Sequence, residues 1–296
     1  MRKTFINTLI DLAHHDKDIV LITPDMGFSV LEPFFEAFPE RSFNAGIAEQ
    51  NAVSMAGGLA LMGKKPYVYT IIPFLVERAF EQVRLDVAYM NTNVKLVGIG
   101  AGFTYGAAGA THHAIEDISL MRSLPNMTVC CPGDNKEAEQ IIRQTAQTTK
   151  PTYIRIGRHN RGIFDTNQIE IGKASVIEKG EDIAVISTSN MLPDAAYYCK
   201  HLKAQGRKPY FISMHTIKPL DKEIILELVQ KGVEIHTMEE HSIIGGLGSA
   251  VAEVIAESGK GIKFKRIGIP DTFSHYIGSQ KYIKKQFGLY FDDEIC

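Results

Sequence analysis

Three short segments of the chain carry side chains whose types and spacing could do chemistry. The first is Phe43-Asn44-Ala45-Gly46-Ile47-Ala48-Glu49-Gln50-Asn51. Glu49 stands among small and apolar residues, just ahead of a small-residue stretch. A carboxyl so placed is expected to be desolvated and fit to share a proton with a bound base. It could equally be a helix-start carboxylate favoured by the macrodipole. The second segment runs from Gly102 to Asp117, around Gly106-Ala107-Ala108-Gly109-Ala110-Thr111-His112-His113. Glycines let backbone approach a ligand closely, and paired histidines can donate hydrogen bonds to hydroxyl or oxyanion groups. The plain alternative is a structural loop whose histidines satisfy backbone carbonyls. Metal ligation with Glu116 and Asp117 is the weaker reading, because no His-x-Glu or His-Glu-x-x-His pattern occurs. The third segment, Tyr153-Ile154-Arg155-Ile156-Gly157-Arg158-His159, delivers arginines to the carboxyl end of a strand. Ligands collect at that end of parallel sheets, and Arg suits phosphate or carboxylate, although a solvated surface arginine fits as well.

Two further candidates are less specific. Phe74 and Arg78 open a helical stretch and could stack a flat heterocycle, or Phe74 could be an ordinary core aromatic. Asp25, in Pro24-Asp25-Met26-Gly27, could anchor a polar group at a strand end or simply form a turn. Gly245-Gly246-Leu247-Gly248 invites a phosphate-loop reading and fails it. It lacks the Gly-Lys-Ser/Thr ending, and Val251 holds the last position of a G-x-G-x-x-G frame.

Short apolar runs alternating with amphipathic stretches must position these residues, which is the pattern of βαβ units and a parallel sheet. Ile19–Ile22, Lys65–Thr70, Val94–Ile99, Met127–Cys131 and Thr152–Ile156 read as strands. Ala52–Leu61, Leu75–Ala88 and Lys136–Ala146 read as helices between them. Periodicity breaks between His159 and Lys179, and alternation then restarts. Strands are predicted at Ile183–Ile186, Pro209–Ile212 and Val233–Thr237, with helices near Leu192–Gln205, Lys222–Lys231 and Leu247–Glu257. The expectation is two α/β domains, 1–165 and 172–296.

Composition narrows the function classes. The 296 residues carry 32 Lys+Arg against 34 Asp+Glu, a formal charge of −2, with 45% hydrophobic and 22% charged residues. Such a chain can bury a sizeable core, and a bulk electrostatic role toward nucleic acid or anionic membrane is not indicated. Cys130, Cys131, Cys199 and Cys296 form no Cys-x-x-Cys pair, so reduced thiols in a cytoplasmic setting are expected. Asp11, His14, His15 and Asp16 interrupt any apolar leader. The uncharged span Leu96–Ile115 contains five glycines and two histidines and reads as strand plus loop rather than a membrane segment.

Taken in order, the segments resemble a known family. Phe38-Pro39-Glu40-Arg41 leading into Gly46-Ile47-Ala48-Glu49-Gln50-Asn51 looks like the pyrimidine-binding domain of transketolases. Gly109-Ala110-Thr111-His112-His113, followed by Leu124-Pro125-Asn126-Met127, resembles transketolase and 1-deoxyxylulose-5-phosphate synthase in order and spacing. Lys218-Pro219-Leu220-Asp221 and Glu240-His241-Ser242-Ile243-Ile244-Gly245-Gly246-Leu247-Gly248 are similar to the family's C-terminal domain. The resemblance covers essentially the whole chain. It implies a pyrimidine-binding-type parallel sheet with flanking helices, a smaller C-terminal-type α/β domain, and thiamine diphosphate as cofactor. It implies that Glu49 bonds the aminopyrimidine ring nitrogen and favours the imino tautomer, so that the ylide can form and transfer a two-carbon ketol unit. Phe74 is similar to the ring-stacking aromatic, while Arg78, Asp25 and Ile47 complete the implied cofactor contacts. Arg78 matches less cleanly, because its spacing from Phe74 differs between branches. His112 and His113 are implied at the substrate, and Arg158 at a sugar phosphate.

Two departures from the family pattern bear on function. Ala108 stands where the family's loop usually has an acid that contacts a sugar hydroxyl, which puts ordinary pentose and hexose phosphates in doubt. Nothing matches the Gly-Asp-Gly domain that binds the diphosphate and Mg²⁺, since Gly133-Asp134-Asn135 reads as a helix-capping turn. The resemblance therefore implies the C-terminal subunit of a split transketolase, partnered by an N-terminal transketolase subunit carrying the diphosphate-binding domain, as an α2β2 heterotetramer. The competing readings are a 2-oxo-acid dehydrogenase beta subunit, a 1-deoxyxylulose-5-phosphate synthase-like enzyme, and a non-catalytic assembly subunit.

Overall fold

The computed structural model of the chain describes residues 1–158 and 169–292. The predicted boundary between His159 and Lys179 falls partly outside the described residues, over 159–168, and so does Cys296. The strands in chain order are β1 Ile19–Thr23, β2 Ser42–Asn44, β3 Lys65–Ile71, β4 Lys95–Ile99, β5 Thr128–Cys130, β6 Thr152–Ile156, β7 Ser175–Glu178, β8 Ile183–Ser187, β9 Pro209–Ser213, β10 Thr216–Lys218, β11 Glu234–Ser242 and β12 Phe264–Ile269. They form two sheets, ordered β10-β5-β6-β4-β3-β1-β2 and β12-β11-β8-β9-β7. All pairings are parallel except β10 on β5 and β7 on β9. Every residue of β1, β4, β6 and β8 is buried, the signature of strands covered on both faces. The two-domain α/β architecture read from the sequence is the one found.

The helix Asn135–Gln147 shows how local sequence sets an element. Asp134 accepts a hydrogen bond from the Glu137 N–H at 2.8 Å, and the Glu137 carboxylate accepts one from the Gly133 N–H at 2.8 Å. This reciprocal capping closes orphan donors of the first turn, so Gly133-Asp134-Asn135 is the capping turn expected. Lys222–Gln230 is likewise capped by Asp221, whose other oxygen takes the Ala174 N–H at 2.8 Å.

Three features depart from the sequence reading. The expected helix Leu75–Ala88 is instead two stretches of wide π-type turns, Pro73–Arg78 and Val83–Tyr89, around a short α-helical turn at Phe80–Gln82. The physical reason lies in its core-facing residues. Leu75, Ala79, Val83 and Val87 are all wholly buried and recur every four positions. An α-helix turns once in about 3.6 residues and carries such a row slowly round its surface, and the wider turns interposed here carry it back, so the row stays facing inward. Second, β10 belongs by chain order to the C-terminal half, yet it extends the first sheet. A three-residue strand carries no periodicity to detect. Third, the amino-terminal helix Arg2–His15 and strands β2, β7 and β12 have no counterpart in the sequence reading; the helix buries Phe5, Ile6, Leu9 and Ala13 against the first sheet.

Leu96–Ile115 is β4 and its loop, and among the described residues no helix is long and apolar enough to cross a membrane. Cys130, Cys131 and Cys199 are buried free thiols, and burial pushes Cys130 and Cys199 up to about 12.

Burial also raises the Glu137 carboxyl to about 7, against the opposing pull of the Gly133 N–H and the Ser213 hydroxyl. The folded chain thus holds a proton at Glu137 more tightly than the unfolded chain does. The associated stability is complete below the ordinary carboxyl range and is lost as pH rises through about 7. Thermal denaturation from pH 5 to 8 is expected to show a smaller fall in Tm for Glu137→Gln than for the parent, with each kcal/mol read as about 2–4 °C. Parallel pH profiles would mean that Glu137 ionises in the fold without cost.

Candidate active site

The site residues project from the carboxyl ends of the strands of the first sheet, where parallel sheets gather ligands. After β1 the chain turns at Asp25 with φ +51°, and Asp25 is tied to Asn44 at the end of β2. The Asp25 N–H donates to Asn44 Oδ1 at 3.0 Å, and Asn44 Nδ2 donates to Asp25 Oδ1 at 3.0 Å. Asn44 Oδ1 also accepts the Gly46 N–H at 2.9 Å. Gly46, at φ +70°, then reverses the chain into Ala48 and the helix Glu49–Leu61. Asp25 is therefore the fastening point of the loop that delivers Glu49, and Asn44 is the partner that sequence reasoning missed. An Asn two positions before a Gly is the only signal it offered. Ile47 stands at the loop's crest, 79% exposed.

Glu49 is 5% exposed, and its Oε2 accepts a hydrogen bond from Arg78 Nη1 at 3.0 Å. The same guanidinium lies over the Phe74 ring, 4.4 Å from its centroid, so the wide turns after β3 present Phe74 and Arg78 together. Phe74 also packs nearly perpendicular to His112, with ring centroids 5.1 Å apart. Residues from three separate segments thus converge: a buried carboxylate, a cation, a partly exposed aromatic ring and an imidazole. The helix behind Glu49 can pack closely because Gly57 faces Asp86, whose Cβ and carbonyl would lie 3.0 and 3.1 Å from any added Cβ. The small residues of Ala52–Leu61 serve that approach.

His112 is half-buried on a 3-10 turn, its Nδ1 2.9 Å from the Thr111 hydroxyl. His113 does not join this cluster. It is 4% exposed, sits edge-on to Phe103 at 5.0 Å, and burial lowers its pKa so that the ring is held neutral. It lines a cavity of about 300 Å³ with Glu77, Glu116, Phe273 and Ser274. Ala108 is exposed on the preceding turn.

The two arginines after β6 separate. Arg155, a candidate ligand group from its place in sequence, is wholly buried and paired with Asp117 at 2.8 Å. Arg158 is exposed and lines a groove of about 390 Å³ with Asn190, Tyr197, Lys281 and Lys284. A smaller cavity of about 140 Å³ joins Arg158 to Tyr105. Tyr105 in turn faces His112 at 6.3 Å between centroids, so a path of polar side chains runs from the Phe74 cluster to the arginine.

Comparison with known proteins matches this arrangement to one family. Residues 1–162 match the transketolase pyrimidine binding domain and residues 172–292 the transketolase C-terminal domain. A 6-deoxy-6-sulfo-D-fructose transketolase subunit of a Clostridium species is 36% identical over 292 residues, covering 98% of this chain and 90% of that one. An apulose-4-phosphate transketolase subunit of Phocaeicola vulgatus is 37% identical over 289 residues, covering 93% of this chain and 92% of that one. The solved structure of a split gene transketolase, described as an inactive beta4 tetramer, superimposes with a TM-score of 0.90 at 36% identity, covering 98% of this chain and 93% of that chain. The chain belongs to the transketolase family, as a subunit of the split type that spans the pyrimidine-binding and C-terminal domains.

The family depends on thiamine diphosphate. The donor set fits that group. A carboxylate removed from solvent suits a ring nitrogen that must share a proton, and the accessible side of Phe74 offers a flat apolar surface to an aromatic ring.

The Glu49–Arg78 contact is open to a direct test. Removing Arg78 leaves a buried carboxylate without its cation, which is costly even where the cation itself reaches solvent. Urea denaturation of Arg78→Ala, Glu49→Gln and the double variant is expected to give a coupling above about 0.5 kcal/mol. Simple additivity would remove the pair from the account of the site.

Proposed function

We propose that this chain is the catalytic C-terminal-type subunit of a two-chain transketolase that moves a two-carbon ketol unit between phosphorylated or otherwise modified sugars. Its domains are taken as 1–165 and 172–296. Its partner is an N-terminal transketolase subunit that carries the diphosphate-binding domain and holds most of the Mg²⁺, in a cytoplasmic α2β2 heterotetramer. The observation that carries the reading is the convergence of Glu49, Arg78, Phe74 and His112 from three segments on one site.

Bound thiamine diphosphate supplies the carbanion-stabilising centre for ketol transfer. The chain's own residues do the rest. Glu49 holds a proton against the pyrimidine nitrogen, and Arg78 sets the orientation of that carboxyl. Phe74 stacks the ring, and Ile47 closes the crest above it. Asp25, through Asn44, keeps the Glu49 loop in register. His112 donates to or accepts from substrate oxygen beside the reacting carbon, with His113 packed behind it as the neutral support of the same loop. Arg158 receives the acid group at the far end of the sugar, a phosphate or, as the relative's substrate suggests, a sulfonate.

Ala108 bears on substrate choice, since an exposed alanine leaves a sugar hydroxyl without the acid that would bind it. That supports a modified ketose over the ordinary pentose and hexose phosphates.

Reconstitution tests the reading. Alone, the chain is expected to show no ketol transfer. With the diphosphate-domain subunit, thiamine diphosphate and Mg²⁺ it is expected to turn over a ketose bearing a terminal phosphate or sulfonate. Glu49→Gln in that complex should lower kcat by about 100-fold or more. Turnover of a 2-oxo acid with an artificial electron acceptor, or condensation of pyruvate with a triose phosphate, would replace this reading with one of its rivals. Unchanged kcat in Glu49→Gln would sink the proton-holding role. Ala108→Asp is expected to lower KM for an ordinary pentose phosphate donor; an unmoved KM would mean that residue 108 does not face the sugar.

A further inference from the structure

The loop that carries His112 is gripped from outside its own domain. It follows β4, and Gly102 and Ala114 close its base with reciprocal N–H to C=O hydrogen bonds of 3.0 Å each. On one side of that base the Phe103 N–H donates to Glu240 Oε1 at 2.9 Å. On the other, the Ala114 carbonyl accepts from Arg155 Nη2 at 2.8 Å, and the same nitrogen donates to the Glu240 carbonyl at 3.2 Å. Just ahead of the base, Asn190 Nδ2 donates to the Ala101 carbonyl at 2.7 Å. Near the tip, the Gly278 N–H donates to the Gly106 carbonyl at 3.3 Å. Asn190, Glu240 and Gly278 all belong to the C-terminal domain.

Glu240 is the least ordinary of these groups. It is 1% exposed, and its carboxylate takes hydrogen bonds from the Phe103 N–H and from the Gln280 amide at 3.0 and 2.8 Å, all neutral donors. Burying a carboxylate on neutral donors costs stability, so packing alone is a poor account of it. The carboxylate is also pressed against the loop. Gly102 sits at φ +61°, and a Cβ there would lie 2.3 Å from Glu240 Cδ, so loop base and carboxyl share one closely fitted space. Its neighbour Glu239 looks the other way and receives the Leu247 and Gly248 N–H groups at 2.7 and 2.8 Å. Two successive carboxylates of β11 thus hold one backbone segment in each domain.

We infer that the C-terminal domain sets the position of the His112 loop, and that Glu240 is a positioning residue for ketol transfer, acting through His112 without touching substrate. The inference rests on the substrate role proposed above for His112. A side chain displaced by about 1 Å can lose about 100-fold in rate, and the loop's fastenings at base and tip leave it little freedom to drift. Glu49, Phe74 and Arg78 stand on other segments, so loss of Glu240 should leave the cofactor contacts intact.

The test uses the reconstituted two-subunit complex. Glu240→Ala and the conservative Glu240→Gln are expected to lower kcat/KM for ketol transfer about tenfold or more for the alanine and less for the glutamine. Thiamine diphosphate affinity, measured by titration calorimetry, should stay within about twofold, since each tenfold corresponds to about 1.4 kcal/mol. Gly106→Ala offers an independent route to the same displacement, because its Cβ would meet the Gly278 carbonyl oxygen at 2.6 Å. The deciding measurement is the cycle with His112→Ala: in that background Glu240→Gln should have no further effect on kcat/KM. If its loss multiplies with that of His112→Ala, or if Glu240→Gln and Gly106→Ala both keep full activity, Glu240 is not a positioning residue. If His112→Ala itself leaves kcat/KM unchanged, the role of His112 fails, and the inference falls with it. Silent Glu240→Gln and Gly106→Ala variants beside a damaged His112→Ala overturn the inference alone.

Discussion

The Arg155 guanidinium is the junction on which this molecule depends. It is wholly buried beside a wholly buried Asp117, to which it donates at 2.8 and 3.2 Å, and Tyr153 adds a third hydrogen bond to the same carboxylate at 2.6 Å. Its remaining donors reach the Ala114 carbonyl, the Ser189 hydroxyl and the Glu240 carbonyl. One planar fork therefore joins β6, the helix Asp117–Ser123, the base of the His112 loop and two elements of the second domain. Breaking a buried pair costs about 3–5 kcal/mol, because the surviving charge is stranded. The fork geometry is one that lysine cannot reproduce.

Around this junction further contacts join the two sheets. β10, contributed from the C-terminal half, pairs antiparallel with β5, and the Cys131 N–H donates to the His215 carbonyl at 2.7 Å. Lys218 closes the same seam on the Arg122 and Leu124 carbonyls. A continuous apolar cluster runs from Ile22 and Val68 in the first sheet to Ala184 and Ile235 in the second. The second domain is thus built into the frame that holds the site, and a rigid frame is what proton transfer and ketol positioning require, since both fail on displacements of an ångström.

Much of this was legible in the residues themselves. Buried strands announced themselves as short apolar runs, and Gly133-Asp134-Asn135 announced a cap, because both effects act within a few residues. The Glu49 motif and the Thr111-His112-His113 loop pointed to the family through order and spacing. What stayed hidden were pairings between distant segments: Asn44 fastening Asp25, Arg78 on Glu49, and Glu240 on Phe103. The π-type turns of Pro73–Arg78 were hidden for a subtler reason. A row of apolar residues every four positions is close enough to an α-helical row to be taken for one.

Arg155 and Arg158 mark the division most clearly. By itself the sequence determined that two arginines stand at the end of a strand, that a carboxyl precedes a small-residue helix, that two histidines lie in a loop after another strand, and that the chain has the order of two α/β domains. Only the tertiary structure decided that one arginine is a buried structural fork and the other a surface group in a groove, and that His112 faces Phe74 while His113 packs against Phe103. The reason is physical. Local propensity and periodicity depend on neighbours along the chain, whereas burial and charge pairing depend on what distant segments bring into contact.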